Sequence, residues 1–132
     1  MRIISGKASK TKLYSLEGLN TRPTLDRVKE SLFNIIQNDI FDSIFLDLFA
    51  GSGQVGLEAL SRGARKAIFC DNSKEAIKII KKNIAKTHLE NSSKVYTMSY
   101  EKLLTTKINE KLDKIYIDPP YKSDFAYKAV EI

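Results

Sequence analysis

From residue 44 onward, short apolar runs alternate with helix-length amphipathic stretches, and the first run ends in the glycine loop Gly51-Ser52-Gly53. That alternation constrains the fold most, because parallel strands need a long crossover between them and a helix is the usual one. Residues 44–49 read as a strand, followed by a helix over Gln54–Ser61 that closes near Gly63. Residues 67–70 form the next strand, and Ser73 caps a helix to Lys86 with Ala76, Ile77, Ile80 and Ile84 turned inward. Further strands are expected at 94–97 and 114–117, and another helix begins at 124–132. The pattern predicts an α/β domain built on a parallel, doubly wound sheet.

Ahead of this core, residues 2–4 and 12–14 suggest a small hairpin around a turn at 5–12. Thr24 is placed to cap a helix to Gln37, with Leu25, Val28, Leu32 and Ile35/Ile36 on one face. The division expected is therefore an N-terminal extension over 1–43 and a core over 44–132.

A length of 132 residues suits one ordinary domain, and 42% apolar with 29% charged residues is a globular composition. No apolar run approaches the roughly 18 residues of a membrane span, and the N-terminus lacks the apolar core of a signal peptide. One cysteine, Cys70, excludes an internal disulfide and an all-cysteine metal site. These features predict a cytoplasmic protein away from membranes.

The formal charge is +6. The first thirty residues hold seven basic and three acidic side chains, a local charge of +4. Arg2, Lys7, Lys10, Lys12, Arg22 and Arg27 make this segment a candidate phosphate-contacting arm; on charge alone a solvated loop explains it equally well. Lys74, Lys78, Lys81, Lys82 and Lys86 fall on the outer face of their helix, where a solvated surface is a simpler explanation than an RNA contact.

Gly51, Gly53 and Gly56 stand in G-x-G-x-x-G spacing between a strand and a helix. The first allows a tight turn, the second lets a ligand approach the backbone, and the third lets helix and strand pack closely. Asp71 follows Gly51 by 20 residues, where a carboxylate can accept hydrogen bonds from ribose hydroxyls. A helix cap beside Ser73 would also use Asp71 but leaves that spacing unexplained. Asp47, four residues before Gly51, would repel a dinucleotide pyrophosphate and suit a ligand with an ammonium and a sulfonium. This favours S-adenosylmethionine over NAD. Ala50, Ser52 and Asn72 complete the candidate cofactor set with Met98 and Ser99. Met98 serves equally well as an adenine-pocket wall or as core.

Asp118-Pro119-Pro120-Tyr121 ends the last apolar run. An exocyclic amine on guanine or adenine is a poor nucleophile because its lone pair is delocalised into the ring. Acceptors for its two N–H groups shift that pair back onto nitrogen. The Asp118 carboxylate and the Pro119 carbonyl can be those acceptors, held in place by proline. Tyr121 can stack on an extruded base for roughly 1–3 kcal/mol, comparable with the cost of unstacking it. An Asp-Pro turn is the plain alternative, but two prolines with an aromatic argue against it, as does the company of the glycine loop and the Asp71 spacing. Cys70 reads as core and His88 as a surface residue at a helix end.

With these motifs the chain resembles the 16S rRNA guanine-N2 methyltransferase family over nearly its whole length. Arg2-Ile3-Ile4-Ser5-Gly6-Lys7 is similar to the family's opening. Thr21-Arg22-Pro23-Thr24, Asp26-Arg27-Val28-Lys29-Glu30 and Leu32-Phe33-Asn34 are similar to its most distinctive block. The segments 46–53 and 56–64 resemble its cofactor region, and 118–121 its catalytic tetrapeptide. The tetrapeptide is shared with amine methyltransferases of DNA and protein, so ribosomal RNA is implied by the N-terminal block.

The resemblance implies a Rossmann-like class I methyltransferase core that binds S-adenosylmethionine through Asp47, Gly51, Gly53, Asp71 and the 98–99 turn. Asp118, Pro119 and Tyr121 would hold guanine N2 for in-line transfer, with no metal. Arg2, Lys7, Arg22 and Arg27 would contact RNA or order the entrance. It further implies 16S rRNA in a small-subunit assembly intermediate as partner, and a monomer.

Two departures stand out. Ala8-Ser9-Lys10-Thr11-Lys12 replaces a more arginine-rich stretch. The chain also stops at Ile132, where the family's sheet continues, so a truncated product or fragment with an exposed fourth strand is expected. Rival readings are an adenine-N6 DNA methyltransferase and an inactive remnant that only binds cofactor or RNA.

Overall fold

The computed structural model describes residues 1–15, 23–106 and 111–118. Arg22, Pro119, Pro120, Tyr121 and the helix expected at 124–132 lie outside the described residues, as does the side chain of Leu25.

The elements run α1 (Pro23–Ile40), β1 (Ile44–Asp47), α2 (Gln54–Ser61), β2 (Lys66–Asp71), α3 (Lys74–Thr87), β3 (Ser93–Thr97), α4 (Tyr100–Thr106) and β4 (Lys114–Tyr116). The four strands form one sheet in the order β3-β2-β1-β4, every neighbour parallel. The doubly wound expectation therefore holds. Strand order reverses at β1, which pairs with β2 on one side and β4 on the other, so a crevice opens at their carboxyl ends.

Alternation along the strands separates two cores. Phe45, Ala67 and Phe69 join Ile3, Phe33, Ile40, Leu57, Leu60, Ile77, Ile80 and Ile84 on the side of α1, α2 and α3. Leu46, Leu48, Ile68 and Cys70 turn the other way, onto Tyr100 and Leu103 of α4. Gly56 lets α2 lie on the sheet, since a Cβ there would stand 2.4 Å from the Phe69 ring. The Ser73 hydroxyl caps α3 by accepting from the Ala76 N–H at 3.2 Å.

The N-terminal segment is a loop closed by the single antiparallel bridge Arg2↔Lys12, a reduced version of the expected hairpin. It lies across α2, which is why Glu58 is fully buried. The Glu58 carboxylate accepts from the backbone N–H groups of Ile4 and Ser5 at 2.9 and 3.1 Å. It also pairs with Arg62 Nε at 2.9 Å and Lys29 Nζ at 3.4 Å. Burial holds the Lys29 pKa below its usual value, against the opposing pull of Glu58. Ser61 donates to the Ser5 carbonyl, and Gly6 passes so near the Ser61 carbonyl that a Cβ would clash. Asn83 completes the anchoring by bonding both backbone groups of Tyr14 and the Ser52 carbonyl.

α1 corrects two expectations. It begins at Pro23, so Thr24 is its second residue and not its cap. Its buried face carries Lys29, Phe33 and Ile40, with Leu32 and Ile36 half-buried, while Val28 and Ile35 are 58% and 81% exposed. The helix is turned so that Lys29 meets Glu58, a rotation hydrophobic periodicity cannot register. α4 was absent from the sequence reading, being only seven residues long.

Candidate active site

A cavity of about 700 Å³ opens at the carboxyl ends of the strands, within the range of small-molecule sites. Leu48, Phe49 and Gly51 follow β1, Asp71 and Asn72 end β2, Met98 and Ser99 follow β3, and Asp118 lies beyond β4. Of the residues chosen from sequence, Gly51, Asp71, Asn72, Met98, Ser99 and Asp118 are brought together here. Asp47, Ala50, Ser52 and Gly53 stand behind this lining: Ser52 faces Met1 and Asn83, and a Cβ on Gly53 would meet Ile80 and Phe69.

The Asp71 carboxylate accepts from Gly51 N–H and from Ser73 N–H, both at 2.9 Å. The 20-residue spacing therefore has a structural cause, because Asp71 ties the glycine loop to the turn into α3. The carboxylate retains lone pairs for a further donor. Asp47 is 1% exposed and accepts from Gly56 N–H at 3.3 Å through one oxygen. Its other oxygen is buried with no hydrogen-bond partner among the described residues. Desolvation pushes the Asp47 pKa up to about 7; the Gly56 bond opposes this, while the negative charges of Asp71 and Asp118 add to it. A cationic group is the natural complement to such a carboxylate.

Asp118 is exposed, and its Oδ2 accepts from the Tyr116 hydroxyl at 3.4 Å. Burial, then Asp118, push the Tyr116 phenol up to about 12. Sequence reasoning missed Phe49, Tyr100, Ser73, Ala76 and Glu101 in the lining. The Phe49 and Tyr100 rings pack with centroids 5.4 Å apart and planes tilted by 52°, an apolar wall whose signal was available only through α4. Met98 lines the cavity and also packs on the α4-side core. Cys70 is fully buried, its thiol pushed up to about 12 by burial, so it is core and no nucleophile. His88 is exposed at the end of α3.

Of the expected RNA-contacting residues, Arg2, Lys7, Lys10, Lys12 and Arg27 are all exposed, the first four on the anchored arm. Among the described residues no acidic, histidine and cysteine group is arranged to hold a metal, and no helix is long and apolar enough to cross a membrane.

A parallel sheet that reverses at β1, with a glycine loop and carboxylates at the strand ends, defines a class I methyltransferase core. The structure of "Putative methyltransferase yhhF" from Escherichia coli superposes with a TM-score of 0.87 at 33% identity, covering 99% of this chain and 71% of that one. The family described as Conserved hypothetical protein 95 matches residues 1–131. "Putative rRNA methyltransferase YlbH" of Bacillus subtilis is 43% identical over 124 residues, 92% of this chain and 67% of that protein. Ribosomal RNA small subunit methyltransferase D of Haemophilus influenzae is 37% identical over all of this chain and 69% of its own length. The chain belongs to this rRNA methyltransferase family, and spans about two thirds of the length of these relatives.

Proposed function

We propose that the protein methylates the exocyclic N2 amine of a guanine in 16S rRNA, with S-adenosylmethionine as donor, in the cytoplasm and on a small-subunit assembly intermediate. The observation that carries this reading is the meeting of Asp118 with the glycine loop on one cavity. The cofactor supplies an electrophilic methyl group when bound. The buried free oxygen of Asp47 suits its ammonium, the remaining lone pairs of Asp71 suit its ribose hydroxyls, and Met98 with the Phe49–Tyr100 wall suits its adenine.

Asp118 accepts an N–H of the amine and returns lone-pair density to nitrogen. The Pro119 carbonyl takes the second N–H and Tyr121 stacks on the base, roles assigned from sequence. Support for RNA comes from the basic, exposed arm fixed to α2 and from the names of the relatives. Guanine N2 rests on the sequence resemblance.

The test supplies methyl-labelled S-adenosylmethionine and unmethylated small-subunit particles, followed by nucleoside mass spectrometry. N2-methylguanosine is the expected product; N6-methyladenosine, or no labelled nucleoside, overturns the assignment.

A further inference from the structure

Five lysines and one glutamate face outward from α3, and one of the two exposed aromatic rings among the described residues lies against them. Lys74, Lys78, Lys81, Lys82 and Lys86 are all exposed, and none has a carboxylate within ion-pair distance among the described residues. Glu75 is the helix's single acid. Lys74, Lys78, Lys82 and Lys86 recur every four residues with Lys81 beside them, which keeps the five on one side in a positive stripe about 18 Å long. Unpaired like charges repel one another, so the stripe is no source of stability for the isolated fold.

Tyr14 turns this stripe from a bare charge run into a shaped surface. It is 50% exposed, and Lys86 Nζ and Lys82 Nζ lie 4.7 and 5.9 Å from its ring centroid. Both backbone groups of Tyr14 are fixed by the buried Asn83 of α3, so the ring's position is set by the core. The same segment carries exposed Lys10 and Lys12. The arm and α3 are thereby joined at Tyr14, with exposed lysines on both segments and an aromatic ring at the junction. At its other end α3 begins at Ser73 and Ala76, which line the cavity.

We infer that this face is a second RNA-contacting surface, on which the lysines of α3 hold phosphates and Tyr14 stacks an unpaired base of the same RNA. The inference rests on the methyltransfer reading above and extends its footprint from the arm to α3. Charge complementarity selects the partner: a strip of unpaired ammonium groups around a fixed ring matches a phosphate backbone with stackable bases. The solvated-surface reading of α3 accounts for the lysines but not for a ring pinned beneath them.

The experiment compares the parent chain with a Lys78→Ala/Lys82→Ala/Lys86→Ala variant and with Tyr14→Ala, measuring binding to transcribed 16S rRNA across a salt series. The triple variant is expected to bind at least tenfold more weakly at low salt, its log–log salt slope reduced by about two. Tyr14→Ala is expected to lose about tenfold with little change in slope. Affinity for S-adenosylmethionine and the thermal midpoint stay at parent values, because the lysines and the ring are exposed.

Parent-like RNA affinity and slope in the triple variant overturn the surface while leaving the methyltransfer reading intact. A parent chain that binds no RNA removes both. Binding to phosphatidylserine vesicles that needs these lysines, with RNA affinity unchanged, assigns the face to a lipid surface and overturns the proposal.

Discussion

Asp47 and Asp118 follow neighbouring strands at the same end of the sheet, and their surroundings could hardly differ more. β1 lies between β2 and β4, and Asp47 is sealed beneath α2. Among the described residues β4 pairs only with β1; Ile115 is 49% exposed and Asp118 is exposed. The first region is closed by its own packing, down to a buried carboxylate with one oxygen unpartnered among the described residues. The second offers a reactive group on an edge strand that the described residues leave open. A binding site for a small charged molecule needs enclosure, and the packing of α2 on β1 supplies it at Asp47.

Changes on the enclosed side should be felt as stability, and changes at β4 as activity. The largest effect is expected for Glu58→Ala, which strands Lys29 and two backbone N–H groups beneath the arm. A loss of about 3–5 kcal/mol in denaturant unfolding is expected, a large share of a typical domain's stability. A loss under 1 kcal/mol would mean that the arm is not held by this cluster. Next comes Asp118→Ala: methyl transfer should fall by about 10²–10³-fold, with cofactor affinity and thermal midpoint unchanged. Unaltered turnover would remove Asp118 from the chemistry.

Asp47 gives a smaller, pH-dependent effect. Its folded pKa is about 7 against 3.8 for the ordinary side chain, so the folded state binds more protons between those values. Stability contributed by the protonated group is full at low pH and is lost as pH rises from about 4 to about 7. The stability of wild type relative to Asp47→Asn should fall over that window by about 1 kcal/mol per pH unit, then level off. Cofactor binding, by bringing a cation to Asp47, should release a proton near pH 6.5, measurable by calorimetry in buffers of different ionisation enthalpy. The smallest effect belongs to Ile115→Thr, expected to change stability by about 0.5 kcal/mol or less because the side chain is already half in water.

The legible parts of the molecule were those governed by neighbours in sequence. α2 was read to the residue because a glycine turn starts it and Gly63 closes it, and α3 to within one residue of its end at Thr87 because Ser73 caps a strongly periodic stretch. Strand positions came from apolar runs and strayed by one or two residues. The inward face of α1 was misjudged because its central buried residue is a lysine, which counts as polar until its distant partner Glu58 is known. The Asp71 spacing was read as ribose recognition, but its first use is the bond to Gly51 across the glycine loop. α4 and the aromatic wall it brings escaped notice because seven residues carry too little periodicity.

By itself the sequence determined the four strands and the helices α1 to α3, and where the loops bearing chemistry would fall. It also supplied the carboxylates and glycines of the site, since turns, caps and periodicity are written in adjacent residues. Only the tertiary structure decided which carboxylate is buried and which is open, that Glu58 clamps the basic arm onto α2, and that Tyr14 lies beneath the lysines of α3. Those outcomes depend on contacts 27 to 69 residues apart along the chain, where burial and charge pairing, and no local preference, set the energy.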